Sequence, residues 1–185
     1  RTAIENSTSP YILHIDSDDY IDKDMVTLMY DKVCMNNADL VLSDTIVEYA
    51  HCTNKIGASW NGDKWKYLSL MLIRKIPANI WGKLIKREII VNNSIFAKEG
   101  VNQGEDYQVI PQIVYYAKKI CYAKSIYYYN KENQLSYTNN VTYLGLMNII
   151  QSQEVLNVFF VDKKEISNDI MEESCIYNKL TLLSI

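Results

Sequence analysis

At 185 residues, 48% hydrophobic and 22% charged, the chain is long enough for one ordinary core and a small appended helical unit. Its net charge of −3, with no Lys/Arg run, gives no electrostatic footprint for a nucleic-acid backbone, so nucleic acid is excluded as a partner. Cys34, Cys52, Cys121 and Cys175 are scattered, without a CxxC pair or a His at metal-ligand spacing, which points to reduced thiols in a cytoplasmic protein.

Tyr11 to Ile15, in "YILHIDSDDY", is a short run of β-formers, apolar at nearly every position, the pattern of a strand covered on both faces of a mostly parallel sheet. A helix is expected from about Asp22 to Asn36, with Asp22 as N-cap and Met25, Leu28, Met29 and Val33 on one face. "ADLVLSD", Ala38 to Asp44, reads as a second strand, which Thr45 to Ala50 extends or follows with another. This strand, helix, strand order indicates an α/β layer architecture. His51 to Gly62 reads as a loop. Asp63 to Lys75 reads as a helix with Trp65, Leu68, Met71 and Leu72 as its core stripe, ended by Pro77.

"NIWGKLIKREIIVNN" starts extended and passes into a short helix from Arg87 to Asn92. A Gly-punctuated loop, "KEGVNQGED", leads into a helix whose apolar positions include Val109, Ile110, Ile113 and Val114; Pro111 is expected to kink or restart it. "KICYAKSIYYYN" reads as two short strand pieces, and the chain from about Val141 as helical. Val141 to Val161 is the most apolar long stretch, but it carries Asn148, Gln151, Gln153, Glu154 and Asn157, so neither a transmembrane segment nor a signal peptide is expected. Leu144, Met147, Ile150 and Leu156 form a stripe that either packs on the chain's own domain or faces a partner.

The densest chemistry follows the first strand, where Asp16, Asp18 and Asp19 succeed an apolar run, with Asp22 and Asp24 just beyond. An Asp-x-Asp at the carboxyl end of a strand lies where open α/β folds bind ligands. Strand alternation puts Asp16 and Asp18 on one face, able to share a divalent cation, and turns Asp19 elsewhere. Asp19, Asp22 and Asp24 equally suit plain turn and capping roles. An EF-hand is excluded by spacing, since Ile21 and Thr27 stand where Gly and Glu are required. A hard cation, Mg2+ or Mn2+, held by few protein ligands leaves positions for a phosphate-bearing substrate.

Taken in order, "YILHIDSDDY", "NNADLVLSD", "IWGKLIKREII", "GVNQGEDY" and "AKKICYAKSIYYYNKENQLS" resemble the family 2 glycosyltransferases, GT-A type enzymes that build bacterial surface polysaccharides. The resemblance covers Arg1 to Ser136 and implies a GT-A-like, Rossmann-like mixed sheet with flanking helices over residues 1–140, followed by a helical extension, 141–185. It implies that Asp16 and Asp18, as the DxD pair, hold Mn2+ or Mg2+ on the diphosphate of a nucleotide sugar. It makes Asp106 of "GED" the general base, with Glu105 as the alternative or as an acceptor contact. Acidic residues in the first turn of a helix also suit its dipole without further role.

By the same resemblance Trp81 and Lys83 lie on the acceptor side, Trp81 stacking on a sugar face and Lys83 pairing with phosphate, against the plainer roles of core residue and solvated charge. Gly82 stands where many relatives carry Asn. Lys131, in the segment Asn130 to Ser136, falls near the diphosphate, where relatives often carry Arg, and Arg1 is a candidate nucleotide contact. "AIEN" and Arg1 look like the middle of the family pattern, so the chain reads as lacking roughly the first third of a catalytic domain. The implied function is inverting, metal-dependent transfer of a sugar from a nucleotide sugar to a glycan or lipid-linked hydroxyl, in the cytoplasm at the inner face of the membrane. Peripheral membrane association and a homodimer through the C-terminal helices are open options. The alternative is a non-catalytic binding or assembly module retaining the fold and cation site.

Overall fold

A computed structural model describes residues 1–131 and 142–183. In chain order the elements are α1 (Thr2–Asn6), β1 (Tyr11–Leu13), β2 (Tyr20–Ile21), α2 (Met25–Asn36), β3 (Leu40–Glu48), β4 (Thr53–Ile56), α3 (Lys64–Leu72), β5 (Lys83–Lys86), α4 (Arg87–Asn92), α5 (Glu105–Tyr116), β6 (Ile120–Lys131), α6 (Tyr143–Phe160) and α7 (Asn168–Leu183). They fall into two compact units that interleave in sequence. Arg1–Gly62, Ile80–Ile95 and the stretch from Tyr116 through β6 form one; Asp63–Asn79, Phe96–Tyr115, α6 and α7 form the other.

All the described strands belong to the first unit, in the order β1-β5-β3-β6-β2, with β4 added to β3. The β3–β6 ladder is parallel and the other pairs are antiparallel, so the sheet is mixed. β3 is its centre, buried from Leu40 to Ile46. β1, expected to be covered on both faces, instead ends the strand order, pairs antiparallel with β5, is only half-buried and stops at Leu13; Ile15 is exposed. An apolar run this short has the same composition at an edge as at a centre. β4 lies within the expected loop 51–62; its residues are all exposed, so no apolar alternation marks it.

α2 covers one face of this sheet. Met25, Met29 and Val33 pack with Val41, Leu84, Ala123 and Tyr128, the two methionines fully buried, each contributing about 1.5–3 kcal/mol. Leu28, expected on this face, is exposed. The helix starts at Met25 rather than Asp22, and Asp24 occupies the N-cap without a side-chain bond. Asn37 closes it in the left-handed region at φ 50°.

The second unit is helical. Asp63 caps α3 by accepting from the Trp65 and Lys66 amides at 2.9 and 3.1 Å. Pro77 does not end α3. Arg74 adopts φ 55°, and the amides of Arg74 and Lys75 donate to the Met71 and Leu70 carbonyls at 3.0 and 2.8 Å, a Schellman closure with Arg where Gly is usual. Tyr67, Leu68, Met71 and Leu72 are buried while Trp65 is exposed. α5 runs through Pro111 as one helix, with Val109, Ile110, Ile113 and Val114 buried as expected. The Gln112 side-chain amide donates to the Gln108 carbonyl at 2.6 Å, supporting the ladder beside the amide that proline removes.

α6 buries Asn148, Ser152, Gln153, Leu156 and Phe160, and α7 buries Ser174 and Asn178. The expected apolar stripe of α6 therefore splits, with Leu156 buried and Leu144 and Met147 exposed. Among the described residues no helix is long and apolar enough to cross a membrane.

Candidate functional site

The acidic segment leaves the sheet before it reaches its aspartates. The Asp19 amide donates to the Asp16 carbonyl at 3.2 Å, closing a tight turn over Asp16, Ser17, Asp18 and Asp19. Strand alternation thus does not place Asp16 and Asp18; a turn does. What holds that turn is the second half of β6, "YYYNK". The Asp19 carboxylate accepts from the Tyr128 hydroxyl (2.7 Å), the Asn130 side-chain amide (3.1 Å) and the Lys131 backbone N–H (2.9 Å). Tyr128 also accepts from the Asp16 N–H at 3.0 Å, so one phenol ties both ends of the turn.

Asp22 is anchored in the same way. Its carboxylate accepts from the Tyr127 N–H and the Tyr129 hydroxyl, both at 3.0 Å, and its own N–H returns to the Tyr127 carbonyl at 3.2 Å. This corrects the expected capping role, since a strand more than a hundred residues away takes the acceptor atoms a helix N-terminus would use. Tyr128 is fully buried, and burial, then its bond to Asp19, holds its phenol above the ordinary value, so it remains a donor.

With Asp19 and Asp22 engaged in holding the turn, Asp16 and Asp18 stand at its solvent side. Asp16 Oδ1 lies 2.9 Å from His14 Nε2 with its side chain 41% exposed, and Asp18 is exposed. Among the described residues no three His, Cys, Asp or Glu side chains converge as a cation cage. Two carboxylates on an accessible turn are hard oxygen donors, and they suit a Mg2+ or Mn2+ ion that completes its shell from water and a phosphate.

The register that brings "YYYNK" to the turn is set by Asp44, which sequence reasoning left as the end of a strand. β6 pairs Ala123 with Ser43 and then Tyr127 with Asp44, leaving Lys124, Ser125 and Ile126 as a bulge, with Ser125 at φ 64°. The buried Asp44 carboxylate takes the Tyr122 hydroxyl, the Ser125 N–H at 2.8 Å and the Ala58 N–H at 3.3 Å. Burial, then that hydroxyl bond, pushes the Tyr122 phenol up to about 12. β6 is therefore two ladder pieces around a bulge, as its sequence suggests.

Trp81 stacks on Tyr128, with ring centroids 4.8 Å apart and planes at 14°, so it supports the residue that ties the turn. Gly82 beside it has φ 67°, and its carbonyl accepts from both the N–H and the hydroxyl of Ser43 at 3.0 Å. Lys83 is buried within β5, which overturns its reading as a solvated charge. Lys131 ends β6; its amide holds Asp19 and its ammonium lies 5.3 Å from the Tyr20 ring centre. Glu132 to Ser136 and Val141 lie outside the described residues. Arg1 is the N-cap of α1 and pairs with Glu5 at 2.9 Å.

In the second unit Glu105 and Asp106 are the first two residues of α5, half-buried, in the turn that the helix dipole favours for acids. Gly104 precedes them at φ 82°, where an added Cβ would come 2.9 Å from Ser152 Oγ. Of the residues missed, Tyr128 and Asn130 had one signal, their alternation with Tyr127, Tyr129 and Lys131 along β6. Asp44 had none beyond being a carboxylate in an apolar strand.

A mixed sheet with flanking helices and an acidic turn at its end defines a GT-A-like fold, and solved structures agree. TarS from S. aureus, residues 1–349 in complex with UDP-GlcNAc, matches with a TM-score of 0.69 at 12% identity, over 95% of this chain and 50% of that one. TarS 1–349 in a second crystal structure gives 0.67 at 14% identity, over 95% and 49%. The cholesterol galactosyltransferase of Borreliella burgdorferi is 23% identical over 155 residues, 76% of this chain and 43% of that relative. Glycosyl transferase family 2 matches residues 1–93, half of the chain, and the chain belongs to that family. It spans about half the length of the relatives it matches.

Proposed function

We propose that this chain forms part of an inverting, metal-dependent glycosyltransferase that moves a sugar from a nucleotide-diphosphate sugar to a hydroxyl of a glycan or lipid-linked acceptor, in bacterial surface polysaccharide synthesis at the inner face of the membrane. The observation that carries this reading is the Asp16–Asp19 turn, clamped by β6 so that Asp16 and Asp18 stay at the solvent side, in a chain of this family. The UDP-GlcNAc held by TarS and the galactosyl transfer named for the Borreliella relative support a nucleotide-sugar donor.

Asp16 and Asp18 are the residues that would hold Mn2+ or Mg2+. Such a cation, when bound, offsets negative charge growing on the departing diphosphate. Asp106, with Glu105 as the second candidate, takes the proton of the acceptor hydroxyl as that oxygen bonds to the anomeric carbon and the nucleoside diphosphate leaves. Attack opposite the leaving group inverts that carbon. Lys131, exposed beside Asp19, supplies positive charge for the diphosphate, and Arg1 contacts the nucleotide; Trp81 and Lys83 serve the acceptor side, Trp81 also bracing Tyr128.

The test is calorimetric titration of UDP into the full-length protein with and without Mn2+, beside Asp18→Asn. Metal-dependent binding that weakens by about tenfold or more in Asp18→Asn, with an unchanged melting temperature, is the expected result. UDP binding indifferent to both metal and substitution sinks the metal-site reading.

A further inference from the structure

We propose that Gln108 is a positioning residue for the acidic turn of "GED", and that α6 serves the reaction by holding it. The inference rests on the reading of Asp106 or Glu105 as the base. Gln108 is 1% exposed, and both ends of its amide are in use. Its Oε1 accepts from the Lys98 N–H at 2.9 Å, and its Nε2 donates to Ser152 Oγ at 3.1 Å. Its backbone N–H donates to the Gly104 carbonyl at 3.1 Å. One residue thus fixes the start of the loop that leads into the two acids, fixes its end at Gly104, and ties both to α6. The Ser152 hydroxyl is itself oriented by donating to the Asn148 carbonyl at 2.8 Å.

The neighbouring residue is anchored by the same chemistry. The buried Tyr107 hydroxyl donates to the Leu72 carbonyl at 2.5 Å and lies 3.0 Å from Ser174 Oγ, while Ser174 in turn reaches Gln153 Oε1 at 3.0 Å. Gly104 completes the close approach, since its missing Cβ is what lets the loop lie against Ser152. Apolar packing alone would hold α5 more cheaply, because every buried amide and hydroxyl must be satisfied or cost about 1–3 kcal/mol. An apolar interface tolerates small slides and rotations, whereas directional hydrogen bonds favour one register. A general base needs that register: it works only within hydrogen-bond reach of its proton, and an error of about 1 Å costs about a hundredfold.

The experiment uses the full-length protein with Mn2+, measuring UDP release from whichever of UDP-glucose, UDP-galactose and UDP-GlcNAc the wild type turns over fastest. Hydrogen exchange across residues 98–107 is followed in parallel and needs no substrate. Gln108→Leu is expected to lower kcat by about 10- to 100-fold with the donor KM within about twofold, and to raise exchange across 98–107. Its melting temperature is expected to fall by about 3–10 °C, because the Lys98 N–H loses its acceptor, while the protein stays folded at the assay temperature. Ser152→Ala, a milder change on α6, is expected to move kcat and exchange in the same direction by less, and carries the test where Gln108→Leu does not fold. Wild-type kcat or unaltered exchange in a folded variant overturns the proposal, as does a loss spread equally over kcat and donor KM. If Asp106→Asn stops turnover while Gln108→Leu does not, the base stands and the positioning role alone fails. If Asp106→Asn and Glu105→Gln both turn over normally, the base reading fails and this proposal with it.

Discussion

Replacing Tyr128 by Phe removes a single oxygen and leaves the stack on Trp81 and the packing against α2 in place. That oxygen donates to Asp19 at 2.7 Å and accepts from the Asp16 N–H at 3.0 Å. A neutral hydrogen bond contributes about 0.5–1.5 kcal/mol and one to a carboxylate about 1.5–3. Asp19 keeps two other donors, from Asn130 and Lys131, so the sum belongs at the lower end, about 2–3 kcal/mol. For a chain of this size each kcal/mol lowers the melting temperature by roughly 2–4 °C, so Tyr128→Phe should melt about 5–10 °C early. Urea unfolding gives the free energy directly, with a lower midpoint and an unchanged slope. Because the turn that presents Asp16 and Asp18 loses a tether at both ends, Mn2+ affinity should fall as well. A variant with wild-type midpoint and wild-type Mn2+ affinity would refute the idea that this phenol organises the turn.

Asp44→Ala leaves the Tyr122 hydroxyl and the Ser125 and Ala58 amides without their acceptor, and should cost at least about 3 kcal/mol in urea unfolding; a loss under about 1 kcal/mol would mean that the bulge does not depend on it. Gly82→Ala places a side chain at φ 67°, 3.1 Å from Ser43 Oγ, and should destabilise by about 1–2 kcal/mol while altering Trp81 fluorescence. The Tyr122 phenol, pushed up to about 12 against an ordinary 10.0, stays protonated in the folded state after the unfolded state has begun to ionise. Its contribution is therefore complete below pH 10 and is lost as pH rises towards 12, so alkaline unfolding midpoints should fall over that window, and less steeply in Tyr122→Phe. Equal slopes in the two proteins would contradict this.

The helices were legible wherever their signals were local. Arg87–Asn92 and the apolar face of α5 follow from local pattern, whereas Asp63, read as the first residue of α3, proves to be its cap. What could not be read locally was set by partners far along the chain. Asp22 has the composition of an N-cap, yet Tyr127 and Tyr129 claim it. Asp16 and Asp18 were singled out on strand geometry, but the strand ends at Leu13 and a turn closed by the Asp19 N–H on the Asp16 carbonyl carries them instead. Lys83 shows the limit of residue type as a guide to burial, since a lysine in a four-residue strand gives no local sign that it will be buried. α6 misleads in the opposite sense, with polar residues inside and Leu144 outside, because its partners are hydroxyls and amides.

The most direct test of sugar transfer is UDP release from a panel of UDP-sugars by the full-length protein in Mn2+, wild type beside Asp106→Asn. The expected result is metal-dependent turnover of at least one donor, reduced by about 10²- to 10⁴-fold when the carboxylate proposed as the base loses its charge. A wild type that neither binds nor splits any donor, or an Asp106→Asn variant that works at the wild-type rate, would contradict it.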